Sequence, residues 1–282
     1  YGGDGEDDIR AGLGADQIFG EMGDDRLYGG KGNDLIIAGA GYDYLVDYEG
    51  DNWLHGGSGA DHLIVGAGND VVYAGNGNDV VEAGDGFNIV YGGKHNDLLK
   101  GGMVADLLRG GQGDDIIYGN DGGDLLYGDS GADKIYSGQG NDKIYGGAGD
   151  DEIDAAEGND MIYAGDGDDV VYAGDAADIV YAGAGDDIIN GGKSGDILYG
   201  GSGADIFKFS ELNLEDEMIH DQIMDFQSGI DKIDLSEIYD DILSIDFRFY
   251  DNYAQIVDIN NHVCLSVSGA DAGYLNHADI II

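Results

Sequence analysis

The sequence predicts an all-β fold: a right-handed parallel β-roll, that is, a two-sheet β-solenoid with 18 residues per coil, followed by a C-terminal antiparallel β cap. Three observations carry this. A nine-residue pattern, Gly-Gly-x-Gly-x-Asp-x-aliphatic-x, runs in one frame from Gly2 to Lys208, 23 copies without insertion or deletion. Its eighth position is apolar in every copy, from Ile9, Ile18 and Leu27 to Leu198 and Phe207. Proline is absent, as suits stacked short strands that need every N–H.

Each part of the nonapeptide has a local reason. Glycines at one, two and four are expected to take φ > 0 without a Cβ cost, which makes a tight turn. Positions seven to nine are short and β-prone, as in Val71-Val72-Tyr73. Strand side chains alternate faces, so eight points inward while seven and nine point out. One nonapeptide is then a turn plus a short strand, and two make one coil. Position four departs from Gly only at His95, Val104, Ala176 and Ser194, and position two only at Glu21, Tyr48, Asn120, Asp129 and Ala156.

Position six carries the chemistry. It is Asp in 21 copies and Asn at 52 and 88. Turn carbonyls plus a carboxylate, with no Cys or His, form a hard-oxygen donor set of the kind that selects Ca²⁺. The 18-residue coil sorts the copies onto two edges. The odd edge carries Asp7, Asp25, Asp43, Asp61, Asp79, Asp97, Asp115, Asp133, Asp151, Asp169, Asp187 and Asp205. The even edge carries Asp16, Asp34, Asn52, Asp70, Asn88, Asp106, Asp124, Asp142, Asp160, Asp178 and Asp196. Eight of the eleven departures at positions two, four and six fall on the even edge. A nearly complete ion row is expected on the odd edge, and gaps or weak sites on the even one.

This segment resembles the RTX, or haemolysin-type calcium-binding, β-rolls of Gram-negative secreted proteins. The resemblance implies that each ion sits between turns on the same edge, one coil apart. Such a site uses carbonyls of positions one and three from one turn, two and four from the other, and both Asp side chains. Asp61 and Asp79 would form one pair, with carbonyls such as those of Gly56, Ser58, Gly75 and Gly77. Twelve and eleven turns allow at most about 21 Ca²⁺ ions.

The formal charge of −46 fits this reading. A chain so acidic and glycine-rich, with a thin apolar stripe, does not offset its ordering entropy unaided, and self-repulsion adds to the cost. About twenty divalent ions nearly cancel the charge and make metal binding a folding requirement. Nucleic acid is disfavoured as a partner by the same charge. No transmembrane stretch is present and no N-terminal signal peptide is visible. Tyr1 fits position nine of a preceding copy, as in a piece cut from a longer protein.

The period stops after Phe207, so residues 1–208 are read as the roll and 209–282 as a capping segment. Residues 211–220 are acidic, read as loop or a short helix. The stretch Asp221-Gln222-Ile223-Met224-Asp225-Phe226-Gln227-Ser228-Gly229-Ile230-Asp231-Lys232-Ile233-Asp234-Leu235-Ser236 is similar to the segment after the roll in serralysin-type secreted proteins. Tyr253 to Ile259 and Val263 to Val267 alternate and are joined through Asn260-Asn261-His262, which reads as an antiparallel hairpin. Cys264 is read as a buried small apolar residue. The end, Asp279-Ile280-Ile281-Ile282, resembles a type I secretion signal; the plainer reading is a final edge strand. A secreted or cell-surface location and the type I secretion machinery as partner follow from the resemblance.

Catalytic motifs do not emerge. An H-E-x-x-H helix and a G-x-S-x-G elbow are both absent. Gly191-Gly192-Lys193-Ser194 lacks the upstream Gly of a phosphate loop and is in register with the roll. His62 is expected to face solvent, and His95 replaces a turn Gly. Position nine is Tyr at 73, 91, 127, 145, 163, 181 and 199, interrupted by Arg109. These are expected to stack as an outward ladder, either plain β-propensity or a platform for sugars or a protein partner. The chain therefore reads as a Ca²⁺-dependent folding module that assists secretion of a larger protein. The alternative is a substrate- or receptor-binding module of a secreted enzyme, toxin or surface adhesin.

Overall fold

The computed structural model describes residues 1–209, 220–237, 246–250, 253–257, 263–269, 275 and 277–281. The expected loop or helix at 211–219, the turn Asn260-Asn261-His262, the Cys264 side chain and Ile282 lie outside the described residues. The chain divides into two compact units, Tyr1–Lys143 and Ile144–Ile282. Both are built from one kind of coil, a parallel two-sheet β-solenoid with an 18-residue spacing and about 11 turns in all.

In the first unit, successive strands alternate between two sheets. Leu35–Ala40, Trp53–Ser58, Val71–Asn76, Ile89–Lys94 and Leu107–Gln112 follow one another in one sheet. Arg26–Lys31, Tyr44–Glu49, His62–Ala67, Val80–Glu82 and Leu98–Lys100 do so in the other. Each residue faces its equivalent one coil away, as in Val71↔Ile89↔Leu107. The apolar eighth position fills the interior between the sheets: Leu27, Ile36, Leu45, Leu54, Leu63, Val72, Val81, Val90 and Leu99 are all fully buried. Hydrophobic burial along this stripe is the main favourable term that the sequence itself supplies.

Strand length and the role of position one differ from expectation. Most strands are six residues long, running from position seven through position three of the next copy. Position one is therefore a second inward position, and its side chains are small because the turn Asp folds over it. A Cβ on Gly110 would stand 2.3 Å from Asp115 Oδ2, and one on Gly20 2.2 Å from Asp25 Oδ2. Within the repeats, left-handed backbone is confined to positions two and four, as at Gly75 (φ 124°) and Gly77 (φ 150°). Glu21, His95, Asn120, Asp129, Ala156, Ala176 and Ser194 adopt it too, whereas Tyr48 and Val104 do not.

The second unit continues the pattern through Met161–Asp166, Ile179–Ala184 and Ile197–Ser202 in one sheet and Val170–Gly174, Ile188–Gly192 and Ile206–Lys208 in the other. Stacking does not stop at residue 208. Asp221–Ile223 pairs in parallel with Ile197–Ser202, and Lys232–Asp234 with Ile206–Lys208. Phe207 and Phe226, both fully buried, meet across this added coil at 6.3 Å between ring centres. The predicted hairpin forms from Tyr253–Val257 and Val263–Ser268. A third antiparallel strand, Asp246–Phe249, which the sequence reading did not identify, extends it. Ile280–Ile281 pairs in parallel with Lys232–Asp234, so the chain's last described residues are an edge strand.

Candidate metal sites

From Asp25 and Asp34 onward the position-six aspartates are buried, and in each unit they stand in two columns of carboxylates; Asp7 and Asp16 are half-buried. Within each column, Oδ1 of one Asp accepts the backbone N–H of the Asp one coil earlier. Asp25 serves Asp7 at 2.9 Å, Asp43 serves Asp25 at 2.8 Å, Asp61 serves Asp43 at 2.9 Å and Asp79 serves Asp61 at 2.7 Å. In the first unit the odd column runs on through Asp97, Asp115 and Asp133; the second unit has an odd column of its own, Asp151, Asp169, Asp187 and Asp205. The even column does the same from Asp16 and Asp34 to Asp106, Asp124 and Asp142, and from Asp160 through Asp178 to Asp196.

The second carboxylate oxygen is the anomaly. Oδ2 of Asp7, Asp25, Asp43, Asp61, Asp79, Asp97, Asp115, Asp169, Asp187 and Asp205 is buried without a hydrogen-bond partner. The same holds for Oδ2 of Asp16, Asp34, Asp70, Asp124, Asp178 and Asp196. A buried ionised oxygen left unpaired costs several kcal/mol. Burial accordingly drives these carboxyls far above the usual range: Asp43, Asp70 and Asp79 to about 6, Asp61, Asp115 and Asp124 to about 7, Asp97 to about 8. The N–H of the preceding coil pulls each of them back, and for Asp43, Asp61, Asp97, Asp115 and Asp124 neighbouring Asp charges push up again. Such a column is either protonated or bound to cations. Oxygen-only donors fit a hard divalent ion.

Among the described residues no three His, Cys, Asp or Glu side chains converge on one metal-sized point. A site here must combine fewer carboxylates with backbone oxygens. The turn around Asp61 and Asp79 has that make-up. A Cβ on Gly56 would meet Asp61 Oδ2 and the Ala74 carbonyl, both at 2.6 Å. The carbonyl of Ser58 already accepts the Gly41 N–H at 2.9 Å and keeps one lone pair. Gly75 and Gly77 hold the left-handed turn that packs against the Gly57 and Gly59 carbonyls.

Three even-edge turns are built differently. Asn52 and Asn88 keep the ladder through Oδ1. Their Nδ2 groups donate instead to turn carbonyls: Asn52 to Gly50 at 3.1 Å, Asn88 to Gly84 at 3.3 Å and Gly86 at 3.0 Å. The amide closes the turn on itself. At Asp106 the cause is position four. β-Branched Val104 does not take the left-handed conformation, and the Gly102 N–H turns inward to donate to Asp106 Oδ2 at 2.8 Å.

Two carboxylates that the sequence reading missed extend the columns. Asp221 Oδ1 accepts the Asp196 N–H at 2.9 Å, and Asp231 Oδ1 accepts the Asp205 N–H at 3.2 Å. They stand 25 and 26 residues on, so the nonapeptide frame does not reach them. The signal was there: Asp221-x-Ile223 and Asp231-x-Ile233 repeat the Asp-x-aliphatic triplet of positions six to eight. Asp225 takes the N–H groups of Gly200 and Gly201 at 3.0 and 2.9 Å.

On the outer face the tyrosines stack. Tyr73–Tyr91 rings lie 4.9 Å apart in the first unit; Tyr145–Tyr163, Tyr163–Tyr181 and Tyr181–Tyr199 lie 5.0, 5.0 and 4.7 Å apart in the second. Arg109, at the interruption, lies over the Tyr127 ring at 5.7 Å and forms a two-pronged ion pair with Asp129. His62 is half-buried rather than solvated, edge-on to Tyr44 at 5.3 Å.

A search of curated proteins finds no match. Among solved structures, a similar one is the R3 subunit of a mannuronan C5-epimerase from Azotobacter vinelandii, at 18% identity over 67% of this chain and 79% of that one. Its TM-score is 0.23. The family model for the RTX calcium-binding nonapeptide repeat matches in overlapping blocks from residue 1 to residue 207, the same stretch whose aspartates form the two buried columns. This chain belongs to the RTX calcium-binding nonapeptide repeat family.

Proposed function

We propose that this chain is a calcium-operated folding module of a larger secreted protein, with residues 1–208 as the ion-binding roll and 209–282 as its cap and export segment. The observation that carries the reading is the column of buried carboxylate oxygens without partners. At neutral pH the metal-free fold must hold like charges one above another, and a divalent cation removes that obstacle and supplies the missing bonds. The position-six Asp residues would hold the ions, with turn carbonyls such as those of Gly56, Ser58, Gly75 and Gly77 completing each shell. Ions are fewer on the even edge, where Asn52, Asn88 and Asp106 have satisfied their own groups.

Millimolar Ca²⁺ outside the cell suits sites of the weak extracellular class. A chain unfolded before export and folded after it is compatible with type I secretion, with Ile280–Ile281 docking as a strand once folded. The test is a calcium titration followed by far-UV circular dichroism, with bound ions counted by native mass spectrometry. The expected result is a cooperative coil-to-β transition with many ions bound. A chain that binds no calcium, or folds equally in EGTA, overturns the reading.

A second reading, a substrate- or receptor-binding module, is favoured by one observation: the stacked tyrosine face. Flat, half-exposed rings at a regular spacing suit sugar faces or an aromatic-rich partner. Binding of calcium-saturated protein to a glycan array, lost on replacing Tyr163 and Tyr181 by Ser, is the result expected from this reading.

A further inference from the structure

Asp47 is an acid in the wrong place for the repeat. It occupies position one, otherwise Gly, Ala, Ser or Val, and lies in the same nonapeptide in which position six has become Asn52. Its side chain points inward and is 1% exposed; the Glu49 N–H and the Asp34 carboxyl lie close to it, but neither carboxylate oxygen completes a hydrogen bond of good geometry. One coil earlier, at the equivalent position in the adjacent strand, is Gly29. A methyl placed on Gly29 would stand 2.1 Å from Asp47 Oδ2 and 2.6 Å from Asp34 Oδ2. Two partnerless, buried carboxylate oxygens thus converge on the hollow that Gly29 leaves. The backbone here is extended: Asp47 pairs with Val65 in the sheet, and Tyr48, like Gly66 one coil on, lacks the left-handed conformation common at position two.

Asn88 provides the contrast. The same Asp-to-Asn change there is accompanied by Ala83 at position one, fully buried, and the Asn amide fills the turn with hydrogen bonds to Gly84 and Gly86. No second carboxylate is supplied.

We infer that Asp47 and Asp34 form a calcium site outside the nonapeptide motif, in which a position-one carboxylate replaces the charge lost at Asn52. Backbone oxygens and water complete the shell, since Asn52 Oδ1 is committed to the Asp34 N–H. The site rests on the calcium-binding reading of the roll as a whole. Asn88 marks a turn with no such replacement.

Native mass spectrometry of the calcium-saturated full chain tests it, comparing wild type with Asp47→Asn and Asp47→Gly. Both variants are expected to hold one ion fewer than wild type, with the remaining count and the far-UV spectrum unchanged. Equal, non-zero counts in wild type and variants overturn this site alone. A wild type that holds no calcium overturns the proposed function and the site together. Should both variants fail to fold, the infrared spectrum of calcium-saturated wild type at neutral pH decides. A pair without metal must share a proton, so a protonated-carboxyl band overturns the site, and its absence supports it.

Discussion

Withdrawing calcium at neutral pH, and then acidifying, should first unfold the roll and then partly restore it. The magnitude follows from the columns. Asp43, Asp70 and Asp79 are each carried by burial from 3.8 to about 6. Ionising one of them in the metal-free fold costs about 3 kcal/mol. Asp61, Asp115 and Asp124, at about 7, cost about 4 kcal/mol each by the same conversion. A domain is held by about 5–15 kcal/mol, so a few of these groups exhaust it. The sign is set by where protons are held more tightly. Every one of these carboxyls keeps its proton to higher pH in the folded chain than in the unfolded chain. Metal-free stability is therefore greatest below about pH 4, falls as pH rises through about 6 to 8, and is flat above. With calcium bound the carboxylates stay ionised and this dependence vanishes across the same window. Far-UV circular dichroism in EGTA from about pH 3 to 9, with light scattering to detect association near the pI of 4.1, reads the effect. A full β spectrum in EGTA at about pH 7.5, or metal-free stability that rises with pH over this range, would refute the reasoning.

Val104→Gly should release the Gly102 N–H from Asp106 and open an ordinary turn; the calcium count rises by one, and at calcium tenfold above Kd the melting transition gains about 1.4 kcal/mol. Asn88→Asp should act in opposite directions with and without the ion: a higher calcium-saturated Tm, and a lower metal-free stability at neutral pH, both read by thermal melts. Gly110→Ala, whose methyl would meet Asp115 Oδ2 at 2.3 Å, should cost about 2 kcal/mol in urea melts with calcium present. Asp221→Ala leaves the buried Asp196 N–H without its acceptor and should lower the urea midpoint by an amount equivalent to about 1–3 kcal/mol.

The coil was legible because period and hydrophobicity speak together: apolar position eight gave the interior, and the 18-residue repeat gave the pairing Val71↔Ile89↔Leu107 seen in the sheets. The hairpin Tyr253–Val257 with Val263–Ser268 was legible from alternation alone. What escaped was anything that depended on where a side chain leans. Glycine at position one reads as conformational freedom in a sequence, but Gly110 and Gly20 are there for space beneath a carboxylate. Asp221 and Asp231 escaped because they stand 25 and 26 residues beyond Asp196 and Asp205, which breaks the 18-residue frame although the ladder bond is the same. The different fates of Asn52, Asn88 and Asp106 required atoms: two amides and one backbone N–H occupy oxygens that a residue count treats as equivalent.

Within each unit the aspartate ladder links successive coils by the same bond, and sameness creates a problem of counting. If a stretch of chain skipped forward by 18 residues, most Asp N–H groups would find an Oδ1 indistinguishable from their own, and most inward Leu, Ile or Val would meet another. The regular copies thus fix the spacing between neighbours without fixing which neighbour it is. Irregular copies remove that ambiguity. Asp47 fits over Gly29 but would meet Ala11 after a slip of one coil, Val104 needs a turn of its own shape, and Asp221 and Asp231 close the columns only on Asp196 and Asp205. The imperfections of the repeat act as address marks: they make one alignment of the coils better than its near copies, which a flawless repeat could not do.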